Sequence, residues 1–398
     1  MHILISLIRF LTMWIPFRSP RKKLRTFLMD YVSDYDKEAR RSEKAWRRHE
    51  VAERTVLVFE PNDCHGEVIS GFCALLLSMG YRVDVLMHHS LGSQFPLCRT
   101  ENEGIRAFTI MKTLWPRLYR EEVLNRYEAI IFTSSLFYTK PGMPSALDVT
   151  GLRNRRNLLI VEHELNDIER LKEEMFEQEG RLLTLGTFHK GIMVNPHSFG
   201  QISITIRNPK PEFITVGALS AERKNHSLLL EALTDLYNAG FKDFSVTIVG
   251  EGETGEIPEH LRPFLNITGK LDFPSMFAAM ERADYFLPLL DPANPAHERY
   301  ISTGVTGSAQ LIYGFAKIPL IHEKFASFYR FDAQNALLYD KEGLSNAMCR
   351  AIKQTSAEYA AMQQNLLNLG RQMDEQSRAN LKRALDGCLT SHGPTSKS

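Results

Sequence analysis

The feature that most constrains this chain is a repeated alternation between short apolar runs and segments whose apolar residues recur at helical spacing. Residues 55–59 form an apolar run, residues 67–79 follow with helical spacing, and residues 83–87 form the next run. Runs this short and this apolar are typical of strands that are buried on both faces of a parallel sheet. The order strand, helix, strand therefore predicts a βαβ unit with a right-handed crossover.

The same alternation continues along the chain and restarts in its second half. We predict further strands at residues 129–132, 157–161, 182–185 and 191–194, and then at 212–217, 244–249, 266–269, 285–289 and 319–321. Helices are predicted in the second half at residues 225–238, 273–282 and 306–316. A chain of 398 residues is too long for one ordinary core, so we expect an α/β protein with two domains.

Proline and glycine punctuate residues 196–211, where we place the linker between the domains. The predicted domains then span residues 51–200 and 212–365, and residues 366–398 form a C-terminal helix and polar tail. Residues 1–50 precede the first domain as a helical extension. Within it, residues 30–50 are dense in charges of both signs, which predicts a solvated helix or linker outside the core.

The start of the chain combines an apolar run with a basic cluster. Residues 1–17 are apolar apart from a few positions such as Arg9, and Pro16 ends the run too early for a comfortable bilayer span. The basic residues come after this run, whereas a secretory signal places them before it; they are Arg18, Arg21, Lys22, Lys23 and Arg25. This order predicts an anchor that lies in a membrane interface, with the basic residues on anionic headgroups. The alternative is a helix packed on the protein's own surface.

Composition narrows the possible functions. The net charge is only +1, so no overall field attracts nucleic acid, and we expect no nucleic-acid partner. The five cysteines are odd in number and include no CxxC pair. They predict neither a disulfide framework nor a metal site, and a reducing cytoplasm is the simplest compartment.

Three stretches between residues 213 and 292 carry a family resemblance. They read FITVGALSAERKNHSLLLEAL, FSVTIVGEGE and NITGKLDFPSMFAAMERADYFLPLLDP. This part of the chain resembles the C-terminal half of the retaining GT-B glycosyltransferases of family four, a large bacterial group that acts on polysaccharides and lipids. The resemblance implies a GT-B architecture, in which two facing Rossmann-like domains with parallel sheets hold a nucleotide-sugar in the cleft between them. It also implies a hexosyltransferase that works without a metal ion and without a cofactor other than its nucleoside diphosphate sugar donor.

The resemblance places a phosphate-binding lysine at Lys224, beside Arg223 and shortly after the strand turn at Gly217. A departing diphosphate develops negative charge, which fixed donors or cations must stabilise. The alternative is an exposed basic pair that precedes a helix.

A loop of small residues is the second phosphate candidate, because backbone amides can approach an anion where side chains are small. Its members are Ser302, Thr303, Gly304, Thr306, Gly307 and Ser308. A position beyond the strand ends of an α/β sheet favours ligand binding. The alternative is a plain turn in which Thr306 caps the following helix.

The family's paired glutamates, which contact the donor sugar and the ribose, are absent. Alignment puts Gly304 and Ile312 at their positions and Ala218 where the family has an arginine, and Glu298 is a nearby acid that could substitute spatially. The departure leaves two alternatives open. One is an inactive binding or scaffold protein on the same fold, and the other is an inverting transferase or a nucleotide-sugar epimerase.

Candidates in the first half follow two predicted strands. After the first strand, Asn62 and Gly66 are predicted on the acceptor side, and His65 or Glu67 could contact the acceptor or serve as a base. The alternatives are a solvated histidine and an acid that favours a helix N-terminus.

His163 follows the strand at residues 157–161 and lies between Glu162 and Glu164. It resembles the family's histidine–acid pair, which faces the donor sugar. We expect the two carboxylates to favour its imidazolium form. The alternative is a surface histidine in an acidic loop.

The expected activity is transfer of a sugar from a nucleotide-sugar to a lipid-linked or polysaccharide acceptor. By resemblance, the product would be a capsule, lipopolysaccharide or related surface glycan. The enzyme would be cytoplasmic and would associate peripherally with the inner membrane through residues 1–25.

Overall fold

The computed structural model describes residues 2–100, 103–111, 122–134, 157–165, 180–188, 190–204, 206–218, 220, 223–252, 256–341 and 343–390. The polar tail predicted after residue 391 lies outside these ranges. Among the helices that they contain, none is both long enough and apolar enough to cross a bilayer.

The first sheet is built from the apolar runs of the first half. Its strands are β1 (Thr55–Glu60), β2 (Arg82–His88), β3 (Ile105–Ile110), β4 (Ala129–Phe132), β5 (Leu158–Glu162), β6 (Leu182–Thr184) and β7 (Ile192–Met193). They lie in the order β3-β2-β1-β4-β5-β6-β7, and all described neighbours pair in parallel. Every residue of β1, β4 and β5 is buried, because helices or connecting segments cover both faces of the sheet.

The second sheet repeats this topology. Its strands are β8 (Glu212–Val216), β9 (Ser245–Val249), β10 (Leu265–Gly269), β11 (Tyr285–Phe286), β12 (Ile318–His322) and β13 (Leu337–Tyr339). The described strands lie in the order β10-β9-β8-β11-β12-β13, again all parallel. In such a sheet the strand order reverses at one point, and a crevice opens there beyond the carboxyl ends of the strands.

Helices pack around the two sheets. They are α1 (His2–Met13), α2 (Arg18–Ser33), α3 (Lys37–Arg48), α4 (Glu67–Ser78), α5 (His89–Gly92), α6 (His226–Asn238), α7 (Phe273–Arg282), α8 (Arg299–Ser302), α9 (Ser308–Phe315), α10 (Glu323–Ala326), α11 (Gly343–Lys353) and α12 (Ser356–Thr390). Side-chain caps fix where several of them begin. Asn225 accepts the amide of Leu228 at the start of α6, and Asp272 accepts the amide of Ser275 at the start of α7.

Each predicted strand coincides with a strand of the structure to within a few residues, but β3 and β13 were not predicted. The strand β3 lies at the edge of its sheet, and only its last residue is fully buried. Its sequence, IRAFTI, therefore lacks the continuous apolar run that marks a central strand.

The charged segment at residues 30–50 is not a solvated linker, and that prediction was wrong. The helix α3 packs against β3 and buries Ala39 and Trp46, which are seven positions apart on one face. The indole Nε1 of Trp46 donates to the hydroxyl of Tyr127 at 2.8 Å, and the ring joins the core above β1 and β4. The apolar stripe of α3 is narrow, so charged residues outnumber apolar residues in the sequence of this helix.

The helix α12 connects the two domains at the end of the chain. Leu366, Leu369 and Met373 belong to a core of the second domain, whereas Leu381 and Leu385 belong to the core of the first. Polar contacts reinforce this packing, since Asn380 Nδ2 donates to the carbonyl of Met193 at 2.7 Å. The predicted boundaries of the domains stay predictions, but one helix contributes to both cores.

We expect Trp46→Ala to lower the free energy of unfolding of the first domain by about 3–5 kcal/mol, because it empties a large buried site and leaves the Tyr127 hydroxyl without its donor. The matched control is Trp14→Ala, since Trp14 is 74% exposed. That control should change stability by less than about 0.5 kcal/mol. Urea denaturation measures both, and equal losses would contradict the assignment of α3 to the core.

Candidate active site

A cavity of about 520 Å³ lies between the carboxyl ends of the two sheets. The first domain contributes the loop after β1 and the residues that follow β4, β5 and β6. The second domain contributes the turns after β8, β9 and β10, together with the start of α9. We call this cavity the cleft; its lining includes His65, Gly66, Glu67, His163, Glu164, Gly217, Arg223, Lys224, Gly250, Lys270, Arg299, Gly304, Thr306, Gly307 and Ser308.

Two glycine turns bring the second-domain backbone to the cleft. Gly217 follows β8 with φ +137°, and Gly250 follows β9 with φ +153°. A Cβ atom on Gly250 would lie 1.8 Å from the carbonyl oxygen of Gly217, and one on Gly217 would lie 2.9 Å from Lys224 Cε. Side chains are therefore excluded at both turns, which lets the two strand ends and Lys224 pack closely together.

Lys224 is a buried cation at the floor of the cleft, with only 4% of its surface exposed. Its Nζ donates to the carbonyl of Pro288 and to Ser308 Oγ, both at 3.1 Å. No carboxylate of the described residues forms an ion pair with it. Burial lowers the pKa of Lys224 to about 7, because the ammonium form loses its hydration without gaining a counter-charge.

The N-terminus of α9 lies next to this lysine. Ser308 is the first residue of the helix, and its amide donates to Thr306 Oγ1 at 3.3 Å. Gly307 precedes it, and both line the cleft. Free amides and the helix dipole at such a terminus attract an anion, and Lys224 adds a positive charge at the same place. The N-cap of α9 is Gly307, without a side-chain cap bond, so the prediction that Thr306 caps this helix was wrong, and the phosphate role of the loop stays a prediction.

On the opposite wall, His65 and Glu67 form a contact pair. His65 has a left-handed backbone, with φ +62°, and its Nδ1 lies 3.6 Å from Glu67 Oε1. Burial works against a charge on His65, but the contacts with Cys64 and Glu67 outweigh it and raise the pKa of His65 well above its usual value. Burial likewise opposes the charge on Glu67, and the ion-pair contact with His65 outweighs it and lowers the Glu67 pKa. The pair is therefore an imidazolium facing a carboxylate.

His163 lies beside His65, with 4.1 Å between the ring centroids. Its Nε2 is 2.7 Å from the carbonyl oxygen of Thr133, so Nε2 carries the proton and Nδ1 keeps a lone pair. Burial and the charge of His65 lower the pKa of His163 to about 3. The expectation of a favoured imidazolium was wrong, because burial and the neighbouring charge of His65 outweigh the nearby carboxylates. Glu162 is itself buried and accepts the amide of Glu164.

Sequence reasoning missed residues that line the cleft and one that lies behind its lining. Glu60 ends β1 and is fully buried, where it accepts hydrogen bonds from the Asn62 amide, the Thr133 hydroxyl and the Ser134 hydroxyl. Burial raises the pKa of Glu60. An acid that directly follows an apolar run, as in TVLVFE, was the available signal. Lys270 and Arg299 also line the cleft, but no motif marks either of them.

Some predicted residues do not reach the cleft lining. Asn62 is buried and donates its side-chain amide to Ser134 Oγ, so it braces the loop after β1. Ser302 Oγ donates to the carbonyl of Glu298, and Thr303 accepts the amide of Leu165. Glu298 pairs with Lys324 at 2.6 Å in an exposed position. The structure thus brings Gly304, Thr306, Gly307 and Ser308 to the cleft but not Ser302, Thr303 or Glu298.

Glu164 lies beside Gly304, one of the two positions to which the resemblance assigns a glutamate of family four. A Cβ atom on Gly304 would lie 3.7 Å from Glu164 Cγ, and the backbones of the two residues form an antiparallel bridge. Arg299 Nη1 is 3.8 Å from Glu164 Oε2. The position of the second family glutamate, Ile312, is buried in the hydrophobic core. A carboxylate from the first domain therefore occupies the place next to Gly304.

Comparisons with known proteins bear on the fold. The chain matches no protein-family model and no curated protein. An alpha-glucosyltransferase in complex with UDP and a 13-mer DNA containing a HMU base is similar in structure, with a TM-score of 0.50 and 9% identity over 84% of this chain and 99% of that one. The chain has the GT-B fold.

Other solved structures show the same likeness at lower scores. WaaG, a glycosyltransferase involved in lipopolysaccharide biosynthesis, has a TM-score of 0.48 and 11% identity, covering 83% of this chain and 98% of its own. AviGT4, a glycosyltransferase involved in Avilamycin A biosynthesis, has a TM-score of 0.47 and 12% identity, and the match covers 84% of this chain and 98% of AviGT4. The predicted fold class, two facing Rossmann-like domains with parallel sheets and an N-terminal helical extension, is confirmed.

The buried state of Lys224 predicts a pH-dependent stability. Its pKa is 10.5 in the unfolded chain and about 7 in the folded one. Between these values the unfolded chain binds more protons, so the stability of the wild type rises with pH. We expect Lys224→Met to be more stable than the wild type near and below neutral pH, and this advantage should shrink towards about pH 10.

Thermal denaturation across this pH range measures the difference between variant and wild type. The control is Lys270→Met, which removes an exposed lysine from the same cleft. Its difference from the wild type should not change with pH in this way. A constant difference for Lys224→Met would contradict the burial of an unpaired ammonium group.

Proposed function

We propose that this protein is a glycosyltransferase that moves a sugar from a nucleoside diphosphate sugar to an acceptor. The observation that carries the proposal is the buried ammonium group of Lys224. It has no carboxylate partner among the described residues, and it shares Ser308 with the N-terminus of α9. A buried cation without a counter-charge is unfavourable unless a ligand supplies one, and a diphosphate supplies it here.

The diphosphate binds between Lys224 and the start of α9. The ammonium group, the amide of Gly307 and the dipole of α9 stabilise the negative charge that develops on the leaving diphosphate. Anion binding raises the Lys224 pKa, so that the residue is fully charged when the bond to the sugar breaks. Arg223 lines the same part of the cleft and adds a further positive charge. This arrangement needs no metal ion at the phosphates.

The first domain provides the groups for the sugar and the acceptor. The lone pair on His163 Nδ1 accepts a hydrogen bond from a sugar hydroxyl, because Nε2 is already committed to the Thr133 carbonyl. Glu164 and Arg299 flank the sugar beside Gly304. The Glu67 carboxylate, with His65 against it, accepts the proton that the acceptor hydroxyl loses on attack.

A panel of nucleoside diphosphates tests the phosphate assignment. At least one of them should raise the melting temperature of the wild type, because a ligand that binds only the folded state stabilises it. Lys224→Ala should remove this gain, whereas Lys242→Ala, which replaces an exposed lysine outside the cleft, should keep it. Equal shifts in Lys224→Ala and the wild type would contradict the assignment, and no shift in any protein would favour an inactive scaffold.

The catalytic roles are tested by nucleoside diphosphate release from a panel of nucleotide-sugars, followed by mass spectrometry. Glu67→Gln should lower turnover by roughly 10²–10⁴-fold, because the group that takes the proton of the acceptor is lost. His65→Ala should also lower turnover, because the Glu67 carboxylate loses the imidazolium that lies against it. The melting shift with nucleoside diphosphate should remain in both variants. Glu259→Gln, on the exposed surface of the second domain, is the control. Unchanged turnover in Glu67→Gln would contradict the role of Glu67 as the group that takes the proton. The anomeric configuration of the product distinguishes a retaining from an inverting transferase.

We infer that the acceptor is a lipid-linked or polysaccharide substrate met at an anionic membrane surface, in the cytoplasm at the inner membrane. The support is the N-terminal pair of helices. Arg25 Nε donates to Thr12 Oγ1 and joins α2 to α1, while Phe10, Trp14 and Phe17 point outward, with 56%, 74% and 71% of their surfaces exposed. Basic residues of α2 follow directly. Exposed apolar side chains next to a basic cluster suit the boundary between acyl chains and anionic headgroups.

Vesicle flotation tests the membrane proposal. The wild type should bind vesicles rich in anionic lipid more strongly than neutral ones, and Phe10→Ser combined with Trp14→Ser should weaken this binding. Phe95→Ser is the matched control, because Phe95 is 59% exposed but lies outside the N-terminal helices. Binding that is the same for the double variant and the wild type would overturn the proposal.

A further inference from the structure

A cluster of three potential metal ligands lies outside the cleft. Asp34 directly follows α2, His88 ends β2 and His89 begins α5. One ligand atom from each residue lies within 4.8 Å of the other two. Among the described residues, this is the one group of three or more histidine, cysteine, aspartate or glutamate side chains with such spacing. We propose that Asp34, His88 and His89 bind a divalent transition-metal ion of the Zn²⁺ class, which fastens the N-terminal helices to the first domain.

The two histidines are adjacent in sequence but turn to the same carboxylate. Successive side chains of a strand point to opposite faces. His88, however, lies where the extended strand gives way to α5, so that His89 already follows a helical path. The ring centroids are 4.4 Å apart, and each Nε2 is 3.1 Å from Asp34 Oδ1. Three ligand atoms from two distant parts of the sequence therefore converge on one point.

The spacing of these atoms matches a tetrahedral ion. Bonds from Zn²⁺ to imidazole nitrogen or carboxylate oxygen are about 2.0–2.2 Å long, so tetrahedral ligands lie about 3.3 Å apart. The two distances of 3.1 Å to Asp34 Oδ1 are close to this value. Small changes in side-chain torsion can therefore admit an ion without rearranging the backbone.

Ser90 is positioned to orient one of the ligands. A histidine that binds a metal usually donates its other ring N–H to a neighbouring oxygen, which fixes the ring and its tautomer. His88 Nδ1 lies 2.7 Å from Ser90 Oγ and accepts the Ser90 backbone amide at 3.3 Å, on the side of the ring opposite to Asp34. Binding of an ion at Nε2 moves the ring proton to Nδ1, which then gives up the Ser90 amide and donates to the Ser90 hydroxyl.

Accessibility and ligand type define the class of ion. The side chains of Asp34, His88 and His89 are 14%, 8% and 26% exposed, so the cluster is sheltered but open to solvent on one side. Water can enter there as a fourth ligand. Two imidazoles and one carboxylate suit Zn²⁺ and neighbouring transition metals, whereas Ca²⁺ and Mg²⁺ prefer oxygen ligands. The spacing of the cysteines could not indicate this site, because none of its ligands is a cysteine and Asp34 meets the two histidines only in the folded chain.

Titration of the metal-free full-length protein tests the proposal. With Zn²⁺ in a calorimeter, the wild type should bind about one ion per chain, as a single three-ligand cluster implies. Asp34→Asn and His89→Gln each remove a metal ligand. Each should therefore weaken binding by more than the roughly 10–100-fold that is typical when only a hydrogen-bond partner of a ligand is lost. His260→Gln replaces an exposed histidine of the second domain and should bind like the wild type. Melting curves without metal establish that each variant is folded.

Substitution with Co²⁺ reports the ligands directly. A tetrahedral site of nitrogen and oxygen ligands should give visible d–d bands without the ultraviolet charge-transfer band of a cobalt–thiolate bond. The bands should be lost in Asp34→Asn and His89→Gln. Binding that persists unchanged in both variants, a thiolate charge-transfer band at the tight site, or no tight binding by the wild type would each overturn the proposal. None of these results depends on glycosyltransferase activity.

Discussion

The packing of α12 against the cores of both domains is the constraint on which the cleft depends. A helix of 35 residues is about 52 Å long, which is enough to reach from one domain to the other. It places Leu366 in the second domain and Leu385 in the first. Because the helix is continuous, the carboxyl ends of the two parallel sheets are held face to face. The bridge between Glu164 and Gly304 then joins the two walls at the site itself.

Charge burial explains how this geometry becomes a binding site. On one wall, Lys224 stays buried with two neutral oxygen partners and a lowered pKa. On the other wall, His65 and Glu67 hold opposite charges against each other, and His163 is kept neutral beside them. Burial of the Lys224 ammonium group and of His163 costs folding free energy, whereas the His65–Glu67 pair offsets its own burial. Together they offer a cationic pocket for a diphosphate, a neutral acceptor for a sugar hydroxyl and a carboxylate for a departing proton.

The sequence predicted those parts of the fold that depend on local pattern. Fully buried strands such as β1 and β5 are marked by continuous apolar runs. The family resemblance placed Lys224 after a strand turn that faces the cleft, and Lys224 lines the cleft. The edge strand β3 and the packing of α3 on the core escaped prediction, because the apolar positions of both segments are few and widely spaced. Local pattern is weakest where a segment buries only one narrow face.

The sequence could not predict how separate loops meet. It identified His65 and His163 individually, but their ring contact arises only because β1 and β5 end at the same edge of one sheet. The same limit applies to Glu164, which faces Gly304 from the other domain, whereas the sequence drew attention to the nearby Glu298. The protonation state of His163 could not be predicted from the sequence either. The low pKa of His163 depends on burial and on a neighbour about a hundred positions away.

The central claim is that a diphosphate neutralises the buried Lys224, and proton uptake on binding measures this most directly. Calorimetry with a nucleoside diphosphate at about pH 8, in two buffers of different ionisation enthalpy, gives the number of protons bound with the ligand. The Lys224 pKa of about 7 leaves the folded protein mostly neutral at this position beforehand. The wild type should therefore take up close to one proton per ligand. Binding by the wild type without proton uptake would contradict the account.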